Sequence, residues 1–285
     1  MVSRGETAAT KRGRILLPKE GRPLFHLRER RRARLRARPV PGEWAAVVDA
    51  IPLCARVPRA DRAELDGHIQ VFLAEKRFEG AGGFAVDEAV QLTIAAQACI
   101  LLLHRTADCF PKLGSVIVYP REYAAPLEEA DDYGLITEDI ESRAGESWME
   151  GSLILSWDDV VADLNDPAGE QNVILHEFAH QLDAETGEMN GCPRITDSTL
   201  REDWARTLGA AYADHCRLVD RDKPTVLDPY AAEDPAEFFA VATEAFFQQP
   251  RRILVTLPAL YEVLRRYYEQ DPAVWSFLGM PQTAA

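Results

Sequence analysis

The stretch "LHEFAHQLD" (residues 175–183) constrains this chain more than any other. Val173, Leu175, Phe178, Ala179 and Leu182 recur at helical spacing, so the segment is expected to be a helix with one face in the core. Asp166-Pro167 offers a start signal, with proline at the first helical position, and Gly187 offers a stop. On such a helix His176 and His180, at i and i+4, project from one face and can hold one metal ion between their ring nitrogens. Glu177 lies about 100° around the helix from His176, which lets it reach a water beside the ion rather than the ion itself. Zinc takes neutral imidazole readily, and a catalytic zinc uses three protein ligands plus a water. H-E-x-x-H is thus the arrangement of metal-dependent peptide hydrolysis, with Glu177 as general base and the metal lowering the pKa of the water.

Two histidines leave a third ligand to be found. An H-x-x-G-x-x-H extension requires glycine at 183 and histidine at 186, where the chain has Asp183 and Thr186, so a metzincin is excluded. The only later histidine, His215, falls on the apolar face of its own helix and reads as a core residue. A carboxylate is left, from among Glu237, Glu244, Asp197 and Glu233, and spacing does not choose among them. Asp234-Pro-Ala-Glu237 has capping-box spacing, which gives Glu237 a structural use as well. Glu237 and Glu244 are seven apart and share a face, so either can line a site. Asp183 lies on the same side as both histidines and can accept an N–H from one of them.

Around this motif the composition is that of a folded chain, 47% hydrophobic, with an uneven charge distribution. Residues 1–39 hold 13 of the 32 Lys and Arg against three acids, and "LRERRRARLRARPVP" closes that segment. It reads as a solvated basic arm that can dock on an acidic body, followed by a single domain over residues 40–285. The acidic body makes nucleic acid an unexpected partner. Leu92–Leu103, the longest apolar run, is too short to cross a bilayer, so no membrane role is expected. No apolar stretch of roughly 7–15 residues follows the basic residues, so a secretory signal is not expected. Five cysteines without a C-x-x-C pair argue against a disulfide framework and for a reducing cytoplasm.

Helical spacing runs through residues 64–78 up to Gly80, Gly82 and Gly83, and Asp87 caps an apolar helix reaching about His104. "SVIVYP" (115–120) and "GSLILSW" (151–157) read as strands. Between them, residues 122–150 carry ten acids and one base and read as an exposed excursion. Later helices follow Leu200 to His215, Asp234-Pro235 with its four phenylalanines, and Pro258 onward. The fold class expected is α+β, predominantly helical, with a small sheet beside the H-E-x-x-H helix.

"NVILHEFAHQLD" (172–183) and "DPYAAEDPAEFFAVATEAFF" (228–247), supported by "AAQACILLL", "VIVYP" and "LSWDDV", resemble the Mlc titration factor A family of zinc metallopeptidases. The resemblance spans roughly residues 20–275. Members are similar around the metal to the anthrax lethal factor catalytic domain, where a tyrosine precedes the glutamate ligand by seven residues. Tyr230 and Glu237 reproduce that spacing. The resemblance therefore implies a zincin-like domain of gluzincin type, with one Zn2+ held by His176, His180 and Glu237. It implies Glu177 as base and Tyr230 as hydroxyl donor to the oxyanion, a role in which a donor aimed at developing charge lowers the barrier most. It also implies a cytoplasmic protein with aminopeptidase-like activity on peptide substrates, or alternatively one that binds and sequesters a transcriptional repressor with residual peptidase activity. The arginine-rich start and the loop "AETGEMNGCPRI" depart from the family pattern.

Overall fold

In the computed structural model, which describes residues 22–105, 108–121 and 151–275, helices surround a small parallel sheet. The chain opens with α1 (Arg22–Arg36), α2 (Gly42–Ala50), α3 (Pro52–Ala55) and α4 (Arg62–Glu75), followed by β1 (Arg77–Gly80). Helix α5 (Glu88–Ile100) leads to β2 (Ser115–Tyr119), and β3 (Ser152–Ser156) ends the sheet. Then come α6 (Trp157–Asn165), α7 (Val173–Asp183), α8 (Ser198–Val219), α9 (Pro235–Gln248), α10 (Pro250–Thr256) and α11 (Pro258–Tyr268). Among the described residues the strands run in the order β1-β2-β3, all parallel, with Arg77 opposite Ser115 and Ser115 opposite Ser152. Parallel neighbours need a crossover, and α5 supplies the one from β1 to β2. The molecule is α+β with helices predominating, and β3 lies against the motif helix α7.

Three element boundaries differ from the sequence reading. Helix α4 stops at Glu75, because Lys76 is extended (φ −101°, ψ 144°) and Arg77 joins the ladder beside β2. The buried Lys76 ammonium donates to the carbonyls of Phe110 and Leu113 at 2.6 and 2.8 Å, so tertiary partners override a helical preference of a few tenths of a kcal/mol. Helix α5 starts as expected, the Asp87 carboxylate accepting the Val90 N–H at 2.9 Å, but ends at Ile100, with His104 left-handed at φ 63°. The motif helix begins at Val173 rather than Pro167. Asn172 Oδ1 accepts the Leu175 N–H at 2.9 Å and Asp163 accepts that of Val173 at 2.7 Å, so side chains satisfy the first helical donors there.

Helix α1 lies on α4. Arg32, only 2% exposed, grips Glu75 at 2.6 and 2.8 Å and pairs with Asp108, and Leu35 is buried nearby. The division expected at residue 39 falls between α1 and α2, and the acidic segment 122–150 lies outside the described residues. In the core, Phe178 of α7 packs on Phe72 and Phe110 with ring centroids 5.6 and 4.8 Å apart. Helix α9 is buried almost all round, including Phe238, Phe239, Phe246 and Phe247. A helix with apolar residues on every side belongs inside the fold, and α9 lies directly across α7.

Candidate metal centre

Helix α7 buries Leu175, Phe178, Ala179 and Leu182 and presents its histidines to α9. The Nε2 atoms of His176 and His180 are 3.1 Å apart. Glu237 places one carboxylate oxygen 3.0 Å from His176 Nε2 and the other 3.3 Å from His180 Nε2. All the ligand atoms of this trio lie within 4.8 Å of one another, the only such group among the described residues. Two ring nitrogens about 2.0–2.1 Å from a tetrahedral ion stand roughly 3.3–3.4 Å apart, so the observed separation fits a shared cation. Electrostatics agree. Burial opposes a charge on His176, yet the hydrogen bonds to Glu237 and Glu244 carry its pKa up to about 10. Burial likewise opposes ionisation of Glu237, but the two imidazoles hold its carboxyl well below the usual range. The carboxylates thus stabilise positive charge beside the imidazoles, and two imidazoles with a carboxylate are a donor set for a divalent metal.

Around the trio, Glu177 is half-buried, and its carboxyl pKa is raised because burial outweighs the attraction of the two imidazoles. Tyr230 sits in a 3₁₀ turn (Pro229–Ala232) held by Asp228, which accepts the Tyr230 N–H at 2.9 Å. Its ring centroid is 6.2 Å from that of His176, and the residue is 47% exposed. All five predicted residues therefore meet at one place or next to it.

The other carboxylates have different uses. Glu244 approaches His176 from the opposite side, accepting from Nδ1 at 2.8 Å, and its second oxygen accepts the Asn172 N–H at 2.5 Å. Asn172 in turn donates to Gln97 Oε1 at 2.8 Å. This orienting contact was missed from sequence, although the seven-residue spacing to Glu237 carried the signal. Asp197 caps α8, accepting from Leu200 at 2.9 Å, and Glu233 is exposed. Asp183, weighed as an acceptor for a ligand histidine, takes the Gly191 N–H at 2.7 Å. His215 is buried beside Phe238, and burial lowers its pKa.

Comparison with known proteins adds the family. A family model described as the glucose-regulated metallo-peptidase M90 matches residues 27–269. An uncharacterized protein of Synechocystis is 38% identical over 251 residues, which is 87% of this chain and 91% of that protein. Mlc titration factor A of Salmonella gallinarum is 35% identical over 230 residues, 79% of this chain and 84% of that protein. The Salmonella agona protein of the same name is 34% identical over the same span. With a match running from within α1 to just past the end of α11, the chain belongs to the glucose-regulated metallopeptidase M90 family.

Proposed function

We propose that this chain is a zinc-dependent peptidase of the gluzincin type, aminopeptidase-like, acting on peptide substrates. His176, His180 and Glu237 hold one Zn2+, Glu177 is the general base and Tyr230 the hydroxyl donor. The observation that carries this reading is the convergence of the three ligands within 4.8 Å, with Glu177 on the same helix. Membership of a metallopeptidase family implies a metal. Three protein ligands of these types are the zinc set that leaves a position open. When bound, the ion supplies Lewis acidity, polarising a scissile carbonyl and lowering the pKa of water toward neutrality. Glu177 accepts the proton of the attacking water and passes it to the nitrogen of the leaving amine. Its raised pKa suits a group that must both take and release a proton. Tyr230 donates its hydroxyl to the carbonyl oxygen as charge develops there. Glu244 keeps the proton on His176 Nδ1, which leaves the Nε2 lone pair for the metal.

The substrate backbone lies along β3, at one end of the strand order among the described residues, where Leu153 and Leu155 face the core and Ile154 faces out. Residues 40–285 act as one metallopeptidase domain, and the basic segment before it reaches that domain through α1, which rests on α4. Five free cysteines fit a reducing cytoplasm, and no helix among the described residues is long and apolar enough to cross a membrane.

The test is metal content and peptide turnover of wild type and Glu177→Gln. The variant is expected to keep one zinc per chain and to lose roughly 10²- to 10⁴-fold in turnover. Turnover at the wild-type rate rejects the base, and metal at background in both proteins rejects the site. A second reading, capture of a transcriptional repressor, is favoured by the name of the Salmonella relatives, Mlc titration factor A. Binding of a repressor that survives Glu177→Gln, with negligible hydrolysis by wild type, would establish that reading in place of the first.

A further inference from the structure

The loop that follows the motif helix touches both halves of the metal trio's scaffold. Asp183, the last residue of α7, is fully buried, and its carboxylate accepts the Gly191 N–H at 2.7 Å. The neighbouring N–H groups of Asn190 and Cys192 also face it. Gly191 is left-handed at φ 73°, and a Cβ there would stand 2.3 Å from the Pro235 carbonyl oxygen. Only glycine tolerates both that conformation and that approach. Pro235 is the first residue of α9, and Glu237 follows two residues later. On its other side Gly191 offers its carbonyl to Trp204 Nε1 at 2.9 Å, and Trp204 stacks edge-on against Phe239 of α9. One residue, Gly191, is therefore clamped between the end of the helix that carries the histidines and the start of the helix that carries the carboxylate.

We propose that Asp183 and Gly191 are positioning residues, a spacer that sets the gap between α7 and α9 so that Glu237 meets both Nε2 atoms before any metal arrives. The proposal rests on the reading of His176, His180 and Glu237 as ligands. A preset gap matters because ligands already in place lose little conformational entropy on binding, and supports behind a metal site change its affinity roughly 10- to 100-fold. Gly191→Ala must push Pro235, and with it Glu237, away from α7. Asp183→Asn keeps the shape of the side chain but weakens the acceptor for the loop N–H groups.

The experiment is zinc affinity by chelator competition, with the visible spectrum of the cobalt-substituted protein as a readout of ligand geometry. It uses the full chain as wild type, Gly191→Ala, Asp183→Asn and Glu237→Ala. We expect Gly191→Ala and Asp183→Asn to weaken zinc binding by roughly 10- to 100-fold and to shift the cobalt bands, with the histidines and Glu237 intact. If Gly191→Ala does not fold, Asp183→Asn decides. Wild-type affinity and an unchanged spectrum in Asp183→Asn and in any folded Gly191→Ala overturn the spacer, provided Glu237→Ala loses the metal. Unchanged binding in Glu237→Ala itself overturns the ligand reading instead, so the two failures are distinct.

Discussion

Glu237 and Glu244, two turns apart on α9, meet the same imidazole from opposite sides. The first lies 3.0 Å from His176 Nε2 and the second 2.8 Å from Nδ1. A histidine whose Nδ1–H donates a hydrogen bond to a carboxylate is locked in the tautomer that exposes Nε2 as a metal ligand, and its basicity rises. Glu244→Gln preserves volume but removes the charge behind the ring. We expect zinc affinity, measured by chelator competition, to fall roughly 10- to 100-fold with the zinc still bound one to a chain. Wild-type affinity would show that Glu244 serves the Asn172 cap alone.

At the scale of elements, several arginines of α1 hold it against α4, and the most buried of them, Arg32, pairs with Glu75. The hydrogen bond from Arg32 holds the Glu75 carboxyl below its ordinary pKa of 4.5, against burial that works the other way. A depressed carboxylate contributes stability that is fully present above pH 4.5 and is lost as pH falls through its lower, folded-state value. Arg32→Ala removes the two closest hydrogen bonds to the part-buried Glu75 carboxylate and leaves Arg28, at 3.4 Å, as its remaining partner, a loss of about 2 kcal/mol. Urea unfolding followed by tryptophan fluorescence is expected to show that loss at pH 7, together with a shallower decline of stability below pH 4.5. An equally steep acid decline in the variant would mean that other carboxylates carry it.

Across the whole molecule, the proposed zinc ties α7 to α9 and so counts toward stability. At free zinc about 1,000 times Kd, binding adds about 4 kcal/mol, or roughly 8–16 °C in Tm for a domain of this size. Chelation should lower Tm by that amount in wild type and equally in Glu177→Gln, and have no effect in Glu237→Ala. A chelator shift that persists without Glu237 would place the metal elsewhere. How much of this was legible in the chain divides along physical lines. The α9 start at Asp234-Pro235 was readable, because a cap and a fixed proline φ act locally. The α7 start was not: Asn172 is a local cap, but Asp166-Pro167 is a competing local signal, and Asp163 reaches the Val173 N–H only once α6 has folded back. The first half of β1, Arg77 and Phe78, was read as helix because its hydrogen-bond partners belong to β2, far along the chain. By itself the sequence determined the motif helix and the pairing of His176 with His180 beside Glu177, since these follow from spacing along a single helix. Four carboxylates remained open from the residues alone, and resemblance pointed to Glu237. Only the tertiary structure decided that Glu237 meets Nε2, that Glu244 meets Nδ1 and that Asp183 serves a loop, because those contacts depend on how α7 and α9 cross, and close packing between distant residues sets that crossing.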